Sequence, residues 1–441
     1  MPAAEAFDVV VIGGGPGGSV TAARLAQKGR RVLVLERDAF PRFHLGESLL
    51  PCSVPILAAL GVLPEVDARF LRKPGAVFHD SYTDRTTRFD FADAFLAKST
   101  YAYQVPRDDF DALLLTNAAS TGAVVRHGFT VESVRYDGDR AVGVLAKDAE
   151  GSPVSIDARV VVDATGRDAL RARATRTSER LPGLDGTALY SQWRGVERSL
   201  GERAGDFHLV LFGDASGKAE DIPAPLGWFW FIPFKDGRTS VGASASLAWM
   251  RSARGGETAL DPQALYQRAI AESPVARRML ASAEQLWPAR ATADYSFKVR
   301  DLCGDGWVAV GDSGGFIDPL FSTGAHLAMF GGFHAAEAID AALTLGDVSR
   351  ARFTAWETRM RSGGDLYVSM VRSFYEGLLS RLMFADKPHP YIRRVITSLL
   401  AGDVFDPDAR WLEDARTRMT RPALLEMLSA ASGSPAISAA R

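Results

Sequence analysis

Cysteine is nearly absent from this chain. Two residues in 441, Cys52 and Cys303, cannot build a disulfide framework, and their separation offers no metal-ligand spacing. Such usage is that of a protein folding in a reducing cytoplasm. An excess of one charge is lacking too: 51 Lys and Arg against 53 Asp and Glu leave a net charge of -2. That balance argues against a nucleic-acid or anionic-membrane surface. No apolar run approaches the roughly 20 residues that cross a bilayer. No basic segment with a small-residue cleavage site precedes the first apolar run, so no signal peptide is expected. The seven histidines show neither H-x-x-x-H nor H-E-x-x-H spacing, and no metal site is expected. Internal repeats are missing as well. What remains is the composition of an ordinary soluble protein, 47% hydrophobic and 24% charged, long enough for two or three interleaved units.

The chain opens on a strand, a glycine-rich turn, a helix and a second strand. Phe7 to Ile12 is short, apolar and β-branched, the pattern of a buried parallel strand. Helix is expected from about Pro16 to Lys28, with strand from Arg31 to Leu35. Phe110 to Ser120 reads as helix, and Val124–His127, Val131–Tyr136, Ala141–Lys147 and Val160–Asp163 read as strands. From about Gly183 to Leu247 longer aromatic-rich stretches suggest an antiparallel sheet with one wet face. Trp307 to Val310 returns to buried strand, a Gly/Ser turn leads into helix from Thr323 to Leu345, and later segments such as Arg393–Leu400 are helical. Residues 429–441 are Ser/Ala-rich and expected to fray.

Gly13, Gly15 and Gly18 form G-x-G-x-x-G between that first strand and helix. The first allows a tight turn, the second lets a pyrophosphate approach the backbone, and the third lets helix pack on strand. Glu36, at the end of the second strand, stands where a carboxylate bonds a ribose diol. Together these features point to a dinucleotide. Its kind is indicated by Trp307-Val-Ala-Val-Gly311-Asp312, which resembles the second fingerprint of glutathione-reductase-type FAD enzymes, whose aspartate holds the ribityl chain. Arg107 in Pro106–Asp111 matches the arginine placed near the flavin in those enzymes, and Asp163-Ala-Thr-Gly-Arg167 matches their middle motif. No second G-x-G-x-x-G follows a strand, which allows reduced flavin to come from a separate reductase.

Trp228-Phe-Trp230-Phe-Ile232-Pro233 contains W-x-W-x-I-P and resembles the signature of flavin-dependent halogenases. The resemblance implies that Trp228 and Trp230 shield the flavin, keeping organic substrate and water away from it. Lys73, after the helix that follows Gly46-Glu47-Ser48-Leu-Leu-Pro51, matches the catalytic lysine of that family, reached through a tunnel, and Ser48 falls in its flavin-side loop. His44 in the same loop is expected to shape it rather than to catalyse. Asp318-Pro-Leu-Phe-Ser322-Thr323-Gly324 resembles the halide turn, with contacts from the amides of Thr323 and Gly324; a plain helix cap by Ser322 or Thr323 is the competing reading. Phe321 stands where tryptophan halogenases carry glutamate, which argues against free tryptophan as substrate.

The resemblance implies that FADH2, oxygen and chloride or bromide yield hypohalous acid, which Lys73 directs onto an electron-rich pyrrole or phenol ring, free or tethered to an acyl or peptidyl carrier protein. Segments 91–103, 291–296 and 401–405 resemble the pyrrole and phenol subgroup. An aromatic hydroxylase using NADPH on the same fold is the alternative. The expected architecture is α/β: a Rossmann-type FAD-binding domain (1–75, 100–180, 285–345) interleaved with an antiparallel-sheet substrate domain (76–99, 181–284), plus a helical C-terminal region (346–441). No nucleic acid or membrane partner is expected.

Overall fold

Successive side chains of the first strand, Glu5–Ile12, enter two different cores. Val9 and Val11 pack with Val20, Leu25 and Ile339 on one face, while Val10 and Ile12 meet Val144 and Trp307 on the other. This is why the run is continuously apolar instead of alternating. In this computed structural model, residues 5–81, 83–96, 98–214, 225–254, 261–293, 296–385, 389–406, 409–418 and 420–432 are described. Of the end expected to fray, 429–441, residues 429–432 instead close helix Arg421–Ser432, and 433–441 lie outside the described residues, as do Asp294 and Tyr295 of the 291–296 segment.

The first strand is flanked in parallel by Val32–Glu36 and Pro153–Asp163; Val124–His127 and Trp307–Ala309 extend the sheet on either side, also in parallel. Arg140–Lys147 then pairs antiparallel with Pro153–Asp163, and Thr130–Asp137 with it in turn. Helices Pro16–Gln27 and Thr323–Leu345 cross on one face. Their approach depends on glycine: a Cβ at Gly332 would sit 2.5 Å from Gly17 O.

A second sheet runs in the order 284–285, 186–194, 238–246, 225–233, 207–214, 75–80, 86–90. Two features depart from expectation. Strands Phe207–Asp214 and Gly75–Asp80 pair in parallel, inside an otherwise antiparallel sheet. Arg290–Ala293 pairs with Gly186–Arg194, so the sheet reaches residue 293, past the boundary expected at 284.

The expected wet face is also absent. Leu209, Leu211, Trp228, Trp230 and Ile232 pack against Leu366, Phe374 and Leu399 of the C-terminal helices. Val210, Phe212, Phe229 and Phe231 are covered by Trp249, Tyr266 and Met279 from helices 247–254, 262–272 and 274–280. Aromatic residues at both alternating positions of Pro225–Pro233 leave neither face fit for water. The C-terminal region comprises helices Thr354–Tyr375, Leu378–Met383, Pro390–Leu400, Arg410–Arg418 and Arg421–Ser432. The helix expected from Arg393 starts earlier, because Pro390 suits a first-turn position. Among the described residues no helix is long and apolar enough to cross a membrane.

Candidate active site

The glycine turn is shaped for a bound phosphate. Gly13 has φ +101°, a conformation that L side chains rarely adopt, and a Cβ there would lie 2.4 Å from Ala164 O. Gly18 is pressed against the turn, its virtual Cβ 1.9 Å from Gly13 O. Around Gly15 the nearest atom is Arg42 Nη2, 3.6 Å away, so space beside its backbone is open. Pro16 follows at the start of the helix, whose N-terminal dipole faces that space. Glu36 accepts from Gly14 N at 2.6 Å and Asp38 N at 2.8 Å, which fixes its carboxylate at the cavity wall.

Gly13, Gly15, Glu36, Ser48, Arg107, Trp228, Trp230, Asp312 and Gly324 all line one cavity of about 1230 Å³. Gly18, Lys73 and Thr323 do not line it. Gly18 lies beneath the turn, and Thr323 is buried at the first position of its helix. Arg107 is clamped by Asp111 at 2.6 and 2.9 Å and donates to Leu45 O and Gly46 O, so it holds the Leu45–Gly46 backbone in place. Asp312 is pushed up to about 6 by burial, opposed by Arg107 and Arg167. His44 is driven down to about 4 by burial and by Arg107, so it is neutral at physiological pH. Glu47, buried in the same loop, is raised to about 7, and its Oε2 has no hydrogen-bond partner among the described residues. A phosphate-shaped turn, an acid at the ribose position and this unpartnered carboxyl oxygen fit an FAD running from Glu36 toward the tryptophans.

Lys73, on strand Leu71–Lys73, is 2% exposed. Its Nζ donates to Ser48 Oγ at 2.9 Å and Leu49 O at 3.0 Å, between the rings of Phe91 and Phe207 at 5.2 and 5.4 Å. Burial lowers its pKa to about 7, against a smaller upward pull from Asp206. The amine therefore sits behind Ser48 and Phe207, which do line the cavity.

The turn from Asp318 enters a 23-residue helix through Ser322, held at φ 57° and ψ 30° without a side-chain cap. The capping alternative therefore finds no bond at Ser322. A left-handed residue before a helix start turns successive amides to one side, as anion-binding nests require.

The tryptophans are 1% and 6% exposed, with ring centroids 5.9 Å apart. Each indole N–H has a partner. Trp228 Nε1 donates to Tyr375 Oη at 3.0 Å, and Tyr375 donates to the Asp318 carboxyl at 3.2 and 3.3 Å. Trp230 Nε1 donates to Ser240 Oγ at 3.2 Å, and that hydroxyl faces Glu47, steadying its charged form. Sequence reasoning passed over Tyr375, Ser240 and the buried acids Glu47 and Asp318. Glu47 and Asp318 sit inside quoted motifs and could have been singled out as acids in apolar surroundings; Tyr375 and Ser240 carry no local signal. Among the described residues no cluster of His, Cys, Asp and Glu could hold a metal.

Known proteins share this sequence pattern and fold. The FAD binding domain family matches residues 6–188. The chain is 31% identical over 416 residues to the 1H-pyrrole-2-carbonyl-(peptidyl-carrier protein) chlorinase of Pseudomonas fluorescens, covering 90% of each. A flavoprotein/dehydrogenase from Cytophaga hutchinsonii superposes with a TM-score of 0.86 at 29% identity, across 97% of this chain and 100% of that one. The myxobacterial chondrochloren halogenase CndH does so at 0.75 and 31% identity, across 97% of both. These likenesses favour halogenation over the hydroxylase alternative, and the chain belongs to the flavin-dependent halogenases.

Proposed function

We propose that this FAD-dependent halogenase acts on an electron-rich pyrrole or phenol ring, with Lys73 as the residue that delivers the halogen. The enclosure of Lys73 carries this reading: a buried amine one side chain behind the cavity wall, with no carboxylate bonded to it. Two of its hydrogens are committed to Ser48 and Leu49, and a protonated amine keeps a third for hypohalous acid. With a pKa near 7, ammonium and free amine are both populated at neutral pH.

The bound flavin, in its reduced form, supplies the electrons for oxygen activation. Gly13, Gly15 and Glu36 would hold its dinucleotide end, and Asp312 its ribityl side, while Ser48 and Arg107 shape the loop against the ring. The amides of Thr323 and Gly324, at a helix N-terminus, would hold chloride or bromide. Trp228 and Trp230 fill volume and keep water and the organic ring away from the oxidising centre. Delivery to the ring forms a carbon–halogen bond, and the displaced ring proton leaves with the hypohalite oxygen as water.

A carrier-tethered ring supplied with flavin by a separate reductase is the form to test first, given the likeness to a carrier-protein chlorinase across nine-tenths of both chains. Purified protein with FAD, an NADH-driven flavin reductase and bromide or chloride would be offered pyrrolyl and phenolic thioesters on a carrier protein, the free acids, and tryptophan. Mass spectrometry should find halogenated pyrrole or phenol, dependent on halide and reductase. Halogenated tryptophan alone would overturn the substrate reading, and oxygenated product independent of halide would overturn the halogen-delivery role of Lys73.

A further inference from the structure

Asp318 opens the halide turn, is 3% exposed, and accepts from Leu320 N at 2.9 Å as well as from Tyr375. Tyr375 is the last residue of helix Thr354–Tyr375, and its hydroxyl takes the Trp228 indole hydrogen while giving its own to Asp318. One phenol therefore joins three segments: the aromatic signature strand, the turn and the C-terminal helical region. The turn needs outside support, because Ser322 stands in a left-handed conformation that residues other than glycine adopt only when their surroundings hold them there.

We propose that Tyr375 is a positioning residue for halide use: by bridging Trp228 and Asp318 it holds the halide-binding turn at a fixed distance from the aromatic wall. This rests on the reading of Thr323 and Gly324 as the halide contacts. A turn released from Tyr375 can relax at Ser322, and amides that relax no longer converge on an anion. The same release lets the Trp228 ring rotate away from the cavity it lines. Tyr375 acts through Trp228 and Asp318 rather than by contact with halide or flavin.

The test compares Tyr375→Phe, Trp228→Phe, their double variant and Gly324→Ala, all loaded with FAD. Chloride and bromide affinity is read from the flavin difference spectrum, and the KM for halide from turnover. Tyr375→Phe should weaken halide binding about tenfold, the scale of one lost hydrogen bond to a charged group, and raise KM for halide more than it lowers kcat. Trp228→Phe should weaken binding less. The double variant should be no worse than Tyr375→Phe, since both break one chain of contacts. Additive losses, or unchanged affinity in Tyr375→Phe while Gly324→Ala weakens binding, would overturn the proposal and leave the halide site standing. Unchanged affinity in Gly324→Ala as well would remove the halide assignment on which the proposal stands. If Tyr375→Phe does not fold, Trp228→Phe decides: undiminished halide binding there overturns the coupling.

Discussion

Lys73 Nζ lies 2.9 Å from the Ser48 hydroxyl, and Ser48 faces the cavity that Lys73 itself does not reach. The amine is thus one side chain removed from the flavin compartment, screened from it and from bulk water. Lys73→Ala should retain FAD and oxidise reduced flavin normally, while halogenation of the organic ring falls by about a hundredfold or more. Flavin absorbance and product mass check the two halves. Normal product yield from that variant would remove Lys73 from the chemistry.

The glycine turn offers a contrast between two neighbouring positions. A methyl group at Gly18 collides with Gly13 O, whereas one at Gly15 meets only a flexible arginine end 3.6 Å away. Gly15→Ala should leave the melting temperature of the apoprotein nearly unchanged yet weaken FAD binding by tenfold or more, on the order of 1.4 kcal/mol. Gly18→Ala should lose stability and cofactor together. Equal FAD affinity in Gly15→Ala and the parent would contradict close approach of the phosphates.

Trp230 rests on Gly242, where a Cβ would lie 2.1 Å from the indole ring. Gly242→Ala must push the ring toward the cavity or spread the sheet, at a cost of about 1–3 kcal/mol. The expected signature is a lower melting temperature with more hydrogen peroxide released per halogenated product. Unaltered coupling would mean that the Trp230 position is immaterial to shielding.

Glu47 contributes a pH dependence of known sign. Its pKa is raised to about 7, chiefly by burial, from an ordinary carboxylate value of 4.5. The folded state therefore holds its proton more tightly, and the stability gained is full below 4.5 and lost as pH rises through 7. Glu47→Gln removes this titration. Across pH 5 to 8 the parent should lose melting temperature relative to the variant; parallel curves would show that the carboxyl is not held neutral.

Much of this arrangement was legible because its signals are local. The strand–turn–helix opening is written in consecutive residues, and helix Thr323–Leu345 has its bounds marked by Ser322-Thr323 and Gly346. The aromatic strand at Trp228 was legible as sheet but not as a strand covered on both sides, because its outer cover arrives from helices more than a hundred residues later. The parallel pairing of Gly75–Asp80 with Phe207–Asp214 likewise depends on chain crossings that no periodicity records. Tyr375 could not be found in advance, since a tyrosine at a helix end acquires meaning only from Asp318 and Trp228 beside it.

The parallel sheet threads Trp307–Ala309 beside Pro153–Asp163, which lies beside Glu5–Ile12. The two walls of the cofactor cradle, at Gly13 and Asp312, are therefore made at widely separated moments of synthesis. At the usual pace of a ribosome, some 5–20 residues per second, the glycine turn emerges roughly fourteen seconds or more before the strand that completes it. A nascent chain in that interval has half a nucleotide pocket, so cofactor loading has to wait for the second half of the sheet to emerge.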